Sequence, residues 1–170
     1  MILQALILAR GAPHAQPVWN ESPHAQPTAG PREPGHPGNL DLVRWVDLPS
    51  HADARGVLTA IESGQDVPFA IQRVYFVHDV VQERGGHAHR ETHQVVTAVH
   101  GECDMVLSDG THERTWRLDR LPRGLYIPPM LFIRMANFSP GTVLASFAST
   151  HYDTTRSIRS WADYLAVIGR

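Results

Sequence analysis

From Asn39 onward, the apolar and polar positions of this chain fall into short runs divided by turn residues. Alternation with period two puts successive side chains on opposite faces of a strand, and runs of this kind over 41–48, 57–62, 71–77, 94–100, 103–108, 111–118, 124–128, 132–137 and 143–149 predict nine strands. The pattern is clear at 103–107, where Cys103, Met105 and Leu107 contrast with Asp104, although Val106 interrupts it. Ser108-Asp109-Gly110-Thr111 then reads as a tight hairpin, and Ser139-Pro140-Gly141 as a second turn. The period changes near the end. Trp161, Tyr164, Leu165 and Ile168 fall at i, i+3, i+4 and i+7, with Ser157 or Ser160 before them as a cap, so a short C-terminal helix is expected to pack its apolar stripe on the strands.

The first 38 residues have a different texture. Residues 1–9 are apolar but too short to span a bilayer, and no positive residue precedes the apolar run; they read as a frayed terminus or an extra packed strand. Between Gly11 and Gly38 there are seven prolines, and Pro-His-Ala-Gln-Pro occurs twice, at 13–17 and 23–27. Proline removes ladder donors and favours extended, solvated chain, so 1–38 reads as a tail and 39–170 as one domain.

Composition narrows the class. A 170-residue chain with 42% hydrophobic and 19% charged residues is an ordinary globular domain. Its net charge of −2 supplies no basic field for nucleic acid, and all 15 basic residues are arginine, which reads as coding bias rather than a binding patch. No membrane partner is expected either. Cys103 is the single cysteine; with no disulfide possible inside the chain, it reads as a small buried hydrophobe in a reducing cytoplasm.

The candidate chemistry is concentrated at Arg84-Gly85-Gly86-His87-Ala88-His89. On a strand, His87 and His89 share one face and Ala88 takes the other. Paired imidazoles on the inner face of a small barrel suit either metal ligation or proton transfer near neutral pH.

Downstream, Gln94 and Gly101 complete the spacing His-x-His, amide or acid, Gly, which resembles the first cupin motif. Residues 128–137 keep the outer Pro128 and Asn137 of the second motif, but Met130 stands at its glycine and Ile133 at its histidine. The implied fold is all-β: a double-stranded β-helix, or cupin jelly roll, with a short C-terminal helix. Ile133 cannot ligate and Gln94 is a poor transition-metal ligand, so no metal site is expected. The metal-dependent alternative recruits His93 to His87 and His89, with Glu91 as a further oxygen ligand on an unbroken strand.

A longer match covers about 41–165. The segments 55–62, 68–75 and 84–89, with Gly124-Leu125-Tyr126 and Tyr152-Asp153, resemble the nucleotide-sugar 3,4-ketoisomerases of the WxcM-like cupins. The resemblance implies a cofactor-free homodimer that converts a dTDP-4-keto-6-deoxyhexose to its 3-keto isomer in deoxysugar biosynthesis. For that chemistry, His87 is the candidate base and His89 its partner. Tyr75 is an oxyanion donor or a hydrogen-bonded core tyrosine, Arg55 and Arg84 are candidates for the pyrophosphate, and Gln94 orients a sugar hydroxyl or an imidazole. Tyr126 and Tyr152 border the pocket or pack as aromatics. A cupin that binds a small molecule without turning it over is the non-enzymatic alternative.

Overall fold

A computed structural model describes residues 36–170. The proline-rich tail and the apolar 1–9 segment lie outside them up to residue 35. Twelve strands run in order: β1 (Arg44–Asp47), β2 (Ser50–Asp53), β3 (Gly56–Thr59), β4 (Arg73–Val77), β5 (Arg84–His89), β6 (Gln94–His100), β7 (Cys103–Ser108), β8 (Glu113–Leu118), β9 (Arg123–Ile127), β10 (Phe132–Ala136), β11 (Val143–Ala148) and β12 (Ser157–Ile158). Helix α1 (Trp161–Val167) ends the fold, with Ser160 as its cap accepting from the Asp163 N–H. Among the described residues no helix is long and apolar enough to cross a membrane.

The strands form two antiparallel five-stranded sheets, β1-β9-β6-β11-β4 and β12-β5-β10-β7-β8, and a detached hairpin, β2-β3. This is the expected jelly roll. Their inner faces meet in a core that includes Val96, Ala98, Cys103, Met105, Leu107, Leu125, Ile127, Ile133 and Leu144. Cys103 is fully buried there, and burial pushes its thiol up to about 12, which keeps it protonated and inert.

Two outer layers explain the departures from simple alternation. The segment 60–72 covers the outer face of the first sheet, where Val67 and Phe69 pack on Val95 and Tyr126. Helix α1 lies on the outer face of the second, burying Ala88, Met130 and Phe132 under Tyr164 and Ile168. Strands sandwiched on both faces read as continuous apolar runs. Three strands lie outside the nine runs: β5, which the sequence offers as a strand through its paired histidines, and β2 and β12, which it does not. The sequence Ser-His-Ala-Asp of β2 carries no apolar alternation and exists only by pairing with β3, while the two-residue β12 is held by β5.

Met130 occupies the glycine place of the second motif with φ +62°, a left-handed conformation that side chains disfavour. Its backbone is held on both sides. Its N–H donates to the His89 carbonyl at 2.7 Å, and its own carbonyl accepts from the Gly38 N–H and the buried Tyr164 hydroxyl. These bonds tie the strand bearing the histidines to α1 and to the start of the domain.

Candidate active site

Strand β5 is shaped by its glycines. Gly85 and Gly86 both adopt positive φ, and the pairing with β10 slips here, from Ile133↔His87 to Arg134↔Gly85. A Cβ on Gly85 would sit 2.5 Å from the Ile133 carbonyl oxygen, so the close approach of the two backbones requires glycine. Such a bulge inserts one residue and re-aims the side chains after it. From His87 on, the strand is regular. His87 and His89 turn to the interior, and Ala88, fully buried, turns to α1.

The two rings meet edge to face, with centroids 4.7 Å apart and Nε2 atoms 3.2 Å apart. The Nδ1 of His89 lies 3.4 Å from the Ser157 hydroxyl. Burial holds both imidazoles below their ordinary pKa. For His87, Arg159 adds to this effect and a backbone hydrogen bond at Gly85 opposes it. His89 is lowered to about 4 by burial first, then by its neighbours His87, Arg73 and Arg159. Near neutral pH the pair is therefore uncharged and able to accept a proton.

Both rings line a cavity of about 240 Å³ at one end of the sandwich. The second sheet contributes the histidines, and β4 of the first sheet contributes Tyr75 and Arg73. The Tyr75 hydroxyl accepts a 2.5 Å hydrogen bond from Nε2 of Gln94, a side chain only 2% exposed. Because the amide donates, the phenol proton remains available to the cavity. Gln94 thus stands behind Tyr75 and does not itself line the cavity. Ile133, which stands where the second motif has a histidine, pairs with His87 in register and is buried in the core without lining the cavity.

Three residues that the sequence offered as candidates lie away from this cavity. His93 does not join the pair: its Nδ1 is 2.7 Å from the Tyr126 hydroxyl, and its ring packs near Phe69 in the layer outside the first sheet. Among the described residues, no three metal-ligating side chains converge. Arg55 sits at the turn of the β2-β3 hairpin, 91% exposed and paired with Asp53 at 2.6 Å, and lines no cavity. Arg84 is exposed at the start of β5, before the glycine bulge, and does not line the cavity either. Of the two bordering tyrosines, Tyr152 lines the cavity, whereas Tyr126 is on the His93 side beneath Arg44.

The arginines that do reach the cavity are Arg73, Arg156 and Arg159, and His151 lines it as well. Arg73 was within reach of the sequence, since it shares the alternating face of Ile71 and Tyr75. Arg156 and Arg159 carried no signal, because they come from an irregular segment and its flank.

A family model described as WxcM-like, C-terminal (FdtA) matches residues 41–169. The chain belongs to this family. It is 38% identical over 120 residues to the TDP-4-oxo-6-deoxy-α-D-glucose-3,4-oxoisomerase of Aneurinibacillus thermoaerophilus, covering 69% of this chain and 86% of that protein. Among solved structures, it resembles QdtA, a sugar 3,4-ketoisomerase from Thermoanaerobacterium thermosaccharolyticum in complex with TDP, at TM-score 0.72 and 35% identity over 75% of this chain and 95% of that one. A QdtA variant with one histidine replaced by asparagine, holding TDP-4-keto-6-deoxyglucose, superimposes equally well, at TM-score 0.72, 35% identity and coverage of 75% and 94%.

Proposed function

We propose that the protein is a sugar-nucleotide 3,4-ketoisomerase that moves the keto group of a TDP-linked 4-keto-6-deoxyhexose from C4 to C3, in the biosynthesis of deoxysugars. The observation that carries this reading is the half-buried, neutral His87–His89 pair facing a cavity across from the Tyr75 hydroxyl, in a chain whose family relatives are named for that reaction.

The reaction redistributes hydrogen within the sugar. In this reading, neutral His87 removes the proton on C3, activated by the adjacent ketone, and the C–H electron pair forms the C3–C4 double bond as the C4 carbonyl becomes an enolate. Tyr75 donates to that oxyanion. The hydroxyl proton then passes from the oxygen on C3 to the oxygen on C4, the carbonyl forms at C3, and the imidazolium returns its proton to C4. His89 shares the proton with His87 across the 3.2 Å contact. Oxidation at C3 and reduction at C4 balance inside one molecule. Positioned acid–base groups are worth about 100- to 10,000-fold each.

The chain's partner in this reading is a second copy of itself. Support comes from β4, an edge strand of the first sheet whose outward Val74 and Phe76 are 48% and 60% exposed; a free apolar edge of this kind favours pairing. Light scattering should give a dimer, and Phe76→Glu should shift it to monomer. A wild-type monomer would overturn this part. A cytoplasmic setting accords with the buried, unpaired Cys103.

Incubation with TDP-4-keto-6-deoxyglucose and proton NMR of the product should show the 3-keto isomer. TDP binding without any isomer would instead make the protein a non-catalytic binder.

A further inference from the structure

His89 meets a protein group at each of its ring nitrogens. Nε2 faces Nε2 of His87 at 3.2 Å, and Nδ1 faces the Ser157 hydroxyl at 3.4 Å. The three side chains form a line, Ser157 to His89 to His87, on the wall of the cavity that all three share.

The backbone brings Ser157 to this place without using its hydroxyl. Strand β12 pairs with β5 so that Ser157 stands opposite His89 and Ile158 opposite Ala88. Ile158 is buried with Ala88 under α1, which fixes the depth of the short strand. Just before it, the Ser157 N–H donates to the Thr154 carbonyl, and the Arg156 carbonyl accepts from the Arg90 N–H at 2.9 Å. Among the described residues, the one hydrogen-bond partner of the Ser157 hydroxyl is the His89 ring.

The number of protons on the pair gives that hydroxyl a task. A neutral imidazole carries one N–H, and which nitrogen bears it depends on what the other nitrogen meets. With the proton of His89 on Nδ1, donated to Ser157 Oγ, its Nε2 is a bare lone pair aimed at His87. The ring of His87 is anchored in a comparable way by a backbone hydrogen bond at Gly85. The two Nε2 atoms then receive one incoming proton on the line between them, and no other proton has to move. In the opposite tautomer of His89 the Nε2–H already occupies that line. A contact of 3.4 Å is long, but hydrogen bonds of acid–base groups tighten as charge develops on them.

We infer that Ser157 is a positioning residue: it accepts from the Nδ1–H of His89 and so keeps the Nε2 of His89 bare and turned to His87, ready to share the proton taken from the sugar. The source of that proton rests on the ketoisomerase reading above; the choice of tautomer does not.

The test compares wild-type protein with Ser157→Ala and Ser157→Thr. Alanine keeps the backbone bonds of β12 and removes the acceptor, whereas threonine restores a hydroxyl on extended backbone that suits a β-branched residue. Nitrogen-15 NMR of the histidine rings near neutral pH, with the His89 signals assigned by their loss in His89→Gln, should show His89 protonated at Nδ1 in wild type and Ser157→Thr. In Ser157→Ala it should move toward protonation at Nε2. With the sugar nucleotide, kcat of Ser157→Ala should fall about 10-fold while KM and TDP affinity stay within about twofold, and threonine should restore kcat to within about twofold. A wild-type His89 protonated at Nε2 overturns the inference. So does an unchanged tautomer in Ser157→Ala, or an equal loss of kcat in the alanine and threonine variants. Failure of the catalytic reading looks different: wild-type protein forms no isomer, while the change of His89 tautomer in Ser157→Ala is still seen.

Discussion

His87 and His89 present their Nε2 atoms to each other at 3.2 Å, so a proton on that line makes one ring the donor and the other the acceptor. Replacing His87 by asparagine keeps polarity and removes the group that titrates. Turnover of His87→Asn should fall at least ~100-fold in steady-state assays, with TDP affinity by calorimetry within about twofold of wild type. Near-wild-type turnover would transfer the role of base to His89 or Tyr75.

Both imidazoles have folded-state pKa values below the ordinary 6.5, His89 at about 4. The neutral, proton-accepting form therefore persists into mild acid, and the acid limb of kcat/KM should lie below pH 6.5. The sign for stability comes from the same shift. Between pH 6.5 and about 4 the unfolded chain binds a proton at position 89 that the folded chain does not, so stability is full above 6.5 and falls as the pH drops through this window. Thermal melts from pH 7 to 4.5 should show that fall, and His89→Gln should make it shallower. Parallel slopes in the two proteins would remove His89 as its source.

Tyr75→Phe separates two effects of a single hydroxyl. If the phenol donates to the enolate oxygen, its loss should lower kcat about 100-fold. It also leaves the buried Gln94 amide without its acceptor, which costs about 1–3 kcal/mol in a urea melt. A stability loss with kcat intact would restrict Tyr75 to the packing role.

Chelation tests the metal alternative. With Ile133 in the ligand place, His93 bonded to Tyr126 and Gln94 engaged by Tyr75, two imidazoles are left to hold an ion. Activity should survive EDTA and dialysis. Loss restored by one divalent ion would contradict this.

Much of this site is legible in the sequence. Period-two geometry alone puts His87 and His89 on one face and Ala88 on the other, because alternation is a property of any strand. Most of the strands and α1 emerge from local pattern in the same way. Composition and lone Cys103 already describe a single core without disulfides. The sequence could not rank the arginines. Arg55, Arg73 and Arg84 all sit near turns or strand ends, and only the pairing of β4 with β11 brings Arg73 to the cavity while the β2-β3 hairpin carries Arg55 away. His93 would share the face of His87 and His89 only on an unbroken strand: the strand breaks between β5 and β6, the chain crosses to the other sheet, and the face a residue takes there depends on the new partner. Spacing along the chain determines which side chains share a face of one strand. Which strands meet across the sandwich depends on contacts between residues far apart in sequence, such as Arg73 and Tyr152, and only the tertiary structure decides those.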